Sequence, residues 1–160
     1  MDYTESLRSF PLLRNISEDD LKALAAFLKE RRYSAGTDVI TEGDDGDEMF
    51  ILIEGSVDII KTTVFGDSFV VTTLDSSMHC VFGEMAMIDH DKRSSTVQAK
   101  TDCLALSINQ KDFDRFCHDY PNCGVELLRL ISINLVRNIR KENENLKLVY
   151  QALIEEIEKG

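Results

Sequence analysis

The spacing of apolar residues divides the chain into three regions with different expected secondary structure. Up to residue 31, apolar positions such as Leu21 and Leu24 recur at intervals of three and four residues, which predicts helix. Ser17, followed three residues later by Asp20, resembles a capping box and marks a helix start. We therefore expect residues 1–35 to form an N-terminal helical part.

Residues 36–108 carry short apolar runs separated by glycines, a pattern typical of β-structure. In the last run, apolar side chains alternate with Ala105 and Ser107, which predicts a strand with one buried face. Short strands at this spacing favour a sandwich, barrel or jelly roll. The predicted strands are Val39–Ile40, Met49–Ile53, Val57–Ile60, Phe69–Leu74, Thr96–Val97 and Leu104–Ile108.

The helical pattern returns in residues 109–160. Asn109 or Ser107 is expected to cap a short helix that stops at Pro121. The segment Cys123–Lys159 contains no proline and keeps one apolar face for most of its length. It predicts a helix of about 55 Å if it is continuous, at ~1.5 Å per residue.

A helix of that length extends beyond what a small β-domain can cover. Its apolar face continues through Leu146, Val149, Leu153 and Ile157, and an exposed apolar stripe normally marks an interface. We expect a homodimer through this C-terminal helix, or an unidentified protein partner on it. The polar stretch Arg140–Asn145 leaves open the alternative that the helix bends there and folds back.

Charge and composition narrow the classes of partner. The chain has 160 residues, the size of one domain, and a net charge of −11 from 29 acidic and 18 basic residues. Such a charge repels nucleic acid and anionic lipid, so neither is expected as a partner. No apolar run approaches the ~18 residues that span a bilayer, and the first residues do not resemble a signal peptide. A cytoplasmic location is expected.

The segment from Val81 to Ala86 contains the first candidate for binding chemistry. A glycine that ends a strand and opens a helical turn leaves backbone N–H groups without helical partners. Here these groups belong to Gly83, Met85 and Ala86. A helix N-terminus also carries partial positive charge, so the turn is suited to bind an anion.

Arg93 and Glu84 extend this candidate site. Arg93 offers a full positive charge and a planar set of donors that matches phosphate oxygens. Glu84 would repel a phosphate, but it can accept a hydrogen bond from a neighbouring hydroxyl. A phosphate beside a hydroxyl indicates a nucleotide or a sugar phosphate. From the residues alone, a Glu84–Arg93 salt bridge that closes a loop is an equally good interpretation.

These motifs, in this order, resemble the cyclic nucleotide-binding domain family, which includes the catabolite activator protein, regulatory subunits of cyclic-nucleotide-dependent kinases and gated channels. The resemblance covers nearly the whole chain. It implies one mainly β domain over residues 1–160: an N-terminal helix, an antiparallel jelly roll, and two C-terminal helices, the last one long. The motifs that carry it are Tyr33–Ile40, Glu42–Asp44 with Gly46-Asp47, Met49–Leu52, Glu54–Val57, Phe82–Ala86 and Arg93–Ser95.

The resemblance also implies roles for individual residues of the phosphate-binding cassette, residues 82–95. Glu84 would bind the ribose hydroxyl. The phosphate would be held by backbone and side-chain groups of Gly83, Met85, Ala86, Arg93, Ser94 and Ser95, and the pocket would be lined by Val71, Val81 and Phe82. A residue of the C-terminal helix usually covers the base in this family, and no motif identifies it here. The turn before the cassette, residues 74–80, lacks a glycine that many members have, so its path stays open.

The implied function is a cyclic nucleotide receptor that catalyses no reaction and uses no cofactor. We expect cAMP to be favoured over cGMP, because no guanine-reading polar residue stands out in the sequence. The signal would pass through movement of the C-terminal helix, which changes dimer or partner contacts. The alternative is a ligand-free interaction scaffold with the same fold, although such members usually lose the glutamate or the arginine.

Metal chemistry is not favoured by the residues present. A metal-dependent cupin enzyme needs clustered ligands, and the three histidines are isolated: His79, His90 and His118. The run Asp44–Glu48 lacks the spacing of a calcium loop. The four cysteines form no CxxC pair, which predicts reduced thiols, some of them in the core, rather than a site around Cys117.

Overall fold

The computed structural model describes residues 3–89 and 91–159, so His90 lies outside the described residues, as do both terminal ends of the predicted domain. Eight strands and four α-helices follow one another in this part of the chain, with short 3-10 turns at Pro11–Leu13, Ser76–Met78 and Glu84–Met87. The elements are α1 (Thr4–Arg8), α2 (Glu18–Phe27), β1 (Lys29–Tyr33), β2 (Asp38–Ile40), β3 (Glu48–Glu54), β4 (Ser56–Thr62), β5 (Ser68–Asp75), β6 (Val81–Phe82), β7 (Thr96–Ala99), β8 (Cys103–Asn109), α3 (Gln110–Asp119) and α4 (Pro121–Lys159).

The strands form two four-stranded antiparallel sheets, and the helices lie at the two ends of the chain. One sheet has the order β1-β8-β3-β6 and the other β2-β7-β4-β5. Successive strands therefore alternate between the sheets at several points, as a roll requires. The expected architecture, an antiparallel β-roll flanked by helices, is confirmed.

Two apolar cores lie on either side of the first sheet. One core packs its Met49, Ile51 and Leu106 against buried residues of the helices. The other fills the space between the two sheets and contains Phe50 and Ala105. The prediction that the last strand buries one face is wrong: β8 is buried on both faces, since Ala105 and Ser107 are as inaccessible as their apolar neighbours.

The predicted helical part ends earlier than expected, because Lys29–Tyr33 is strand β1. It pairs antiparallel with β8 from Lys29 opposite Ser107 to Tyr33 opposite Cys103. Four of its five residues are charged and none is buried. Backbone hydrogen bonds to a neighbouring strand hold it in place, and its sequence shows no alternation of apolar and polar residues that would predict a strand. The two-residue strand β6 is apolar and buried, and it is the strand that was expected to end at Gly83, although two residues are too few to show an alternation.

The helix starts follow the predicted capping. The Asp20 N–H donates to Ser17 Oγ at 3.1 Å, and the Asp112 N–H donates to Asn109 Oδ1 at 2.8 Å. Each side chain satisfies an N–H group that the first turn leaves without a helical partner. Pro121 begins α4, where its missing N–H costs nothing.

Helix α4 has two halves with different surroundings. Its first half is anchored in the core by Leu127 and Ile131. From Val136 to Lys159, every described residue except Asn145 is exposed. The helix is continuous through residues 140–145, so the folded-back alternative is wrong. No helix in the described part of the chain has the length and apolarity needed to cross a membrane.

The cysteines are free thiols, as expected. Cys80, Cys103 and Cys123 are buried and Cys117 is half-buried. Burial raises the pKa of the Cys80 thiol to about 11 and that of Cys123 to about 12, so both stay protonated at neutral pH. Among residues 3–89 and 91–159, no three metal-ligating side chains come together.

Candidate functional site

The cassette begins where β6 ends. Gly83 follows Phe82 with a φ of 70°, in the left-handed region, and the 3-10 turn Glu84–Met87 starts directly after it. A Cβ atom on Gly83 would lie 2.9 Å from Ile40 Cδ1 and 3.0 Å from Arg93 Nη1. Both the backbone conformation and the close approach of Arg93 therefore require glycine at this position.

Arg93 is held against this turn by two backbone carbonyls. Its Nη1 donates to the Gly83 carbonyl at 3.1 Å and its Nη2 donates to the Glu48 carbonyl at 2.8 Å. The guanidinium has five N–H groups, so donors remain for an anion. Burial lowers the pKa of Arg93, and the nearby carboxylates of Glu48, Asp47 and Glu84 oppose that shift. The side chain is thus a fixed, half-buried cation.

The chain on either side of Arg93 is tied to the acidic turn that follows β2. The Arg93 N–H donates to the Asp44 carbonyl, and the Gly43 N–H donates to the Arg93 carbonyl, both at 2.9 Å. Lys92 forms an ion pair with Asp45 at 2.6 Å. The acidic turn therefore positions the cassette arginine. No Glu84–Arg93 salt bridge is found among the described residues, so the two side chains do not close the loop on each other.

Glu84 is a buried carboxylate in the same turn. It is 4% exposed, and its Oε1 accepts a hydrogen bond from Asn134 Nδ2 of α4 at 2.8 Å. Burial raises the pKa of Glu84, while the Asn134 hydrogen bond and the charge of Arg93 lower it. A buried carboxylate with a hydrogen-bond donor is a specific acceptor for one further donor.

A cavity of about 350 Å³ brings these groups together. It lies between the second sheet, the cassette and α4. Every residue assigned by the resemblance lines it: Val71, Val81, Phe82, Gly83, Glu84, Met85, Ala86, Arg93, Ser94 and Ser95. The Ser94 hydroxyl is exposed and lies 3.5 Å from Met85 Sδ, and Ser95 is half-buried. The cavity therefore has one cationic end, one buried acceptor and an apolar wall.

Helix α4 supplies cavity residues that sequence reasoning missed. They are Asn134, Asn138, Lys141 and Glu142. Their spacing of four, three and one residues places them on one face of the helix. No sequence signal separates them from the many other polar residues of this amphipathic helix, so only packing identifies them. The sheet adds Ile40, Ile59, Lys61, Thr72, Leu74 and Val97, and the cassette loop adds Asp91 and Lys92.

The turn before the cassette follows a path that needs no glycine. A 3-10 turn at Ser76–Met78 leads into His79, which has a φ of 49°. His79 is the non-glycine residue with positive φ in the described part of the chain. It lies against Phe10, with the ring centroids 5.3 Å apart. His79 thus occupies a left-handed position that glycine usually takes.

Comparison with known proteins identifies relatives of this chain. The sequence model of the family described as cyclic nucleotide-binding domain matches residues 30–120. The chain is 31% identical over 118 residues to the cAMP-dependent protein kinase regulatory subunit of Dictyostelium discoideum, and 34% identical over 116 residues to cGMP-dependent protein kinase 2 of Mus musculus. These matches cover 72% and 71% of this chain, but only 36% and 15% of the two relatives. The chain thus spans well under half the length of either.

Solved structures show the same fold. The crystal structure of a cyclic nucleotide-binding domain from Methylobacillus flagellatus superimposes with a TM-score of 0.81 at 19% sequence identity. The superposition covers 89% of this chain and 82% of that one. At this identity the likeness concerns the fold.

Proposed function

The chain belongs to the cyclic nucleotide-binding domain family, and from that premise we propose that it is a cyclic nucleotide receptor. The observation that supports this most is that the half-buried cation Arg93 and the buried acceptor Glu84 line one cavity of about 350 Å³. A cyclic nucleotide carries one phosphate charge next to a sugar hydroxyl. It therefore offers each of the two groups its complement.

In the proposed complex, the cyclic phosphate lies at the N-terminus of the Glu84–Met87 turn. The backbone N–H groups of Gly83, Met85 and Ala86 and the side chains of Arg93, Ser94 and Ser95 surround it. Glu84 accepts the ribose hydroxyl. Val71, Val81 and Phe82 line the wall against sugar and base.

The base would lie between the sheet and α4. We propose cAMP as the favoured ligand, because Ile59, Val71 and Leu74 offer an apolar wall to adenine, the less polar of the two bases. Glu142 also lines the cavity, and its carboxylate can accept from the exocyclic amine of either base, so it does not separate them. The test therefore compares both nucleotides.

We propose binding without reaction, and no cofactor. Hydrolysis of the phosphodiester would need a base or a metal that activates water. Glu84, the buried carboxylate of the cavity, already accepts a hydrogen bond from Asn134 and is assigned to the sugar. The four free thiols suit a reducing compartment, so the proposed location is the cytoplasm.

The output surface would be the exposed half of α4. One row of mainly apolar side chains along it is spaced alternately three and four residues apart, which is the spacing of a coiled-coil seam. The seam consists of Val136, Ile139, Asn143, Leu146, Tyr150, Leu153 and Ile157, and its apolar members are 45–71% exposed. Because none of the residues that the structure describes covers this seam, we propose that a second copy covers it and that ligand binding alters the pairing through α4.

The charges beside the seam favour a parallel pair. In the heptad abcdefg of a coiled coil, Val136, Asn143, Tyr150 and Ile157 occupy position a and the other seam residues position d. In a parallel pair, a residue at position g contacts the residue at position e of the partner helix, five positions later in the sequence. Here that rule pairs Glu142 with Lys147, which are opposite in charge. An antiparallel pair would instead bring Arg140 and Lys147 of the two copies together. Asn143, a polar residue in the seam, would fix the register of the two helices.

Calorimetry of the purified protein against cAMP, cGMP and a cyclic dinucleotide tests the proposal. The receptor function expects saturable binding of a mononucleotide with one site per chain, with cAMP tighter than cGMP. Tighter binding of cGMP would overturn the base assignment and leave the receptor function. Absence of binding by all three would favour the ligand-free interaction scaffold.

A further inference from the structure

Asn134 connects helix α4 directly to the cassette. Its side-chain amide donates one hydrogen bond to Glu84 Oε1 at 2.8 Å and a second to the Val81 carbonyl at 3.1 Å. An amide nitrogen carries two hydrogens, so both donors are in use. One side chain therefore ties the long helix both to strand β6 and to the turn that follows it.

This tie ends on a group with few alternatives. Glu84 is 4% exposed, so water cannot readily replace a lost donor. A buried carboxylate without a donor is costly, and a hydrogen bond from Asn134 offsets part of that cost. Glu84 and Asn134 both line the cavity, so the hydrogen bond between them lies at its wall.

We propose that Asn134 is a placeholder: in the ligand-free protein it occupies the position on Glu84 that the sugar hydroxyl takes in the complex. This inference rests on the proposed function. An amide N–H and a hydroxyl O–H offer the carboxylate the same interaction, so one donor can replace the other without leaving Glu84 unpartnered. The exchange releases Asn134 from Glu84 and leaves its side chain bonded to the Val81 carbonyl alone. Occupancy of the sugar site is thereby transmitted to the helix that carries the output surface.

A placeholder and an orienting residue make opposite predictions. If Asn134 is a placeholder, removing its amide leaves Glu84 without that donor, and a ligand hydroxyl then gains more from binding. If Asn134 only orients Glu84, removing it weakens the contact with the hydroxyl. The discriminating quantity is the ratio of dissociation constants for 2′-deoxy-cAMP and cAMP, since only cAMP has the hydroxyl.

The experiment compares the full chain with Asn134→Leu, which keeps the shape but cannot donate. Asn145→Leu is the matched control, because Asn145 lies on the same helix but outside both the cavity and the seam. If the melting curve of Asn134→Leu shows that this variant does not fold, Asn134→Ala replaces it. We expect the ratio to rise about threefold or more in the Asn134 variant and to stay unchanged in the control. In the ligand-free state, amide exchange in residues 131–141 should be faster in the Asn134 variant than in the wild type.

The outcomes separate this inference from the proposed function. If the wild type binds cAMP and the ratio is unchanged or lower in the Asn134 variant, the placeholder role is overturned and the receptor function stands. Equal rates of amide exchange in the wild type and the Asn134 variant would likewise overturn the claim that Asn134 holds α4 to the cassette. If the wild type binds neither nucleotide, the receptor function is overturned and this inference falls with it.

Discussion

The guanidinium of Arg93 lies directly against the α-carbon of Gly46, so closely that a Cβ atom on Gly46 would stand 2.6 Å from Arg93 Cζ. Real Cβ atoms do not approach neighbours this closely. The acidic turn after β2 therefore covers one side of the cassette arginine only because position 46 has no side chain.

Gly46→Ala should weaken cyclic nucleotide binding tenfold or more without unfolding the protein. The added methyl group must displace the Arg93 side chain, which then leaves the Gly83 and Glu48 carbonyls that position it. Gly66→Ala is a control: Gly66 has a φ of 93° and open space around it, so the variant is strained but does not touch the site. Calorimetry measures the affinity of both variants for cAMP. Equal affinities would contradict the role of Gly46 in positioning Arg93.

Arg93→Ala should lower affinity for cAMP at least tenfold. It removes hydrogen bonds to a charged group, each worth roughly 1.5–3 kcal/mol. Because Arg93 also donates to two backbone carbonyls, the melting temperature should fall as well. Arg129→Ala is the matched control, since Arg129 is an exposed arginine that pairs with Glu126 outside the cavity. An Arg93 variant that binds as tightly as the wild type would show that the phosphate lies elsewhere.

Glu84→Ala should weaken binding of cAMP more than binding of 2′-deoxy-cAMP. Only the first ligand offers the hydroxyl that Glu84 accepts, so the variant should bind the two with similar affinity. Competition against a fluorescent cyclic nucleotide measures both constants in one assay. Equal losses for the two ligands would mean that Glu84 supports the fold and does not read the sugar.

The raised pKa of Glu84 predicts how stability depends on pH. A carboxyl whose folded pKa lies above its unfolded value, about 4.3, binds protons more tightly when folded. Burial of the charge therefore destabilises the wild type above the folded pKa, and acidification relieves this. Glu84→Gln is neutral at every pH, so its melting temperature relative to wild type should be highest near neutral pH and decline on acidification. Melting curves from about pH 8 to about pH 5 test this, and a difference that grows with acidity would contradict it.

Leu146→Glu should disrupt self-association through α4, whereas Leu148→Glu should not. Leu146 lies in the seam and Leu148 on the opposite side of the helix, yet they are 51% and 66% exposed. The pair therefore separates a seam contact from a general loss of apolar surface. Sedimentation velocity at tens of micromolar, with and without cAMP, measures the association. A wild type that is monomeric under both conditions would exclude the homodimer.

The sequence alone determined the features that depend on local chemistry. Capping by Ser17 and Asn109, six of the eight strands in the described residues and the length of α4 all follow from periodicity and from residues near each other in the chain. The cassette was recognised because Gly83, Glu84 and Arg93 lie within eleven residues. Its resemblance to a family assigned ten residues to a binding site, and all ten line one cavity in the structure.

Only the tertiary structure decided features that join distant segments. Strand β1 has no apolar pattern and exists because β8 offers it backbone partners. The burial of Ser107 depends on a second layer over the sheet, and the contact between Gly46 and Arg93 joins turns 47 residues apart. Asn134 reads as an ordinary polar residue of a helix until packing brings it to Glu84, fifty residues away. Periodicity reports which face of an element is buried, but not what that face meets, because the partner is chosen by the packing of the whole chain.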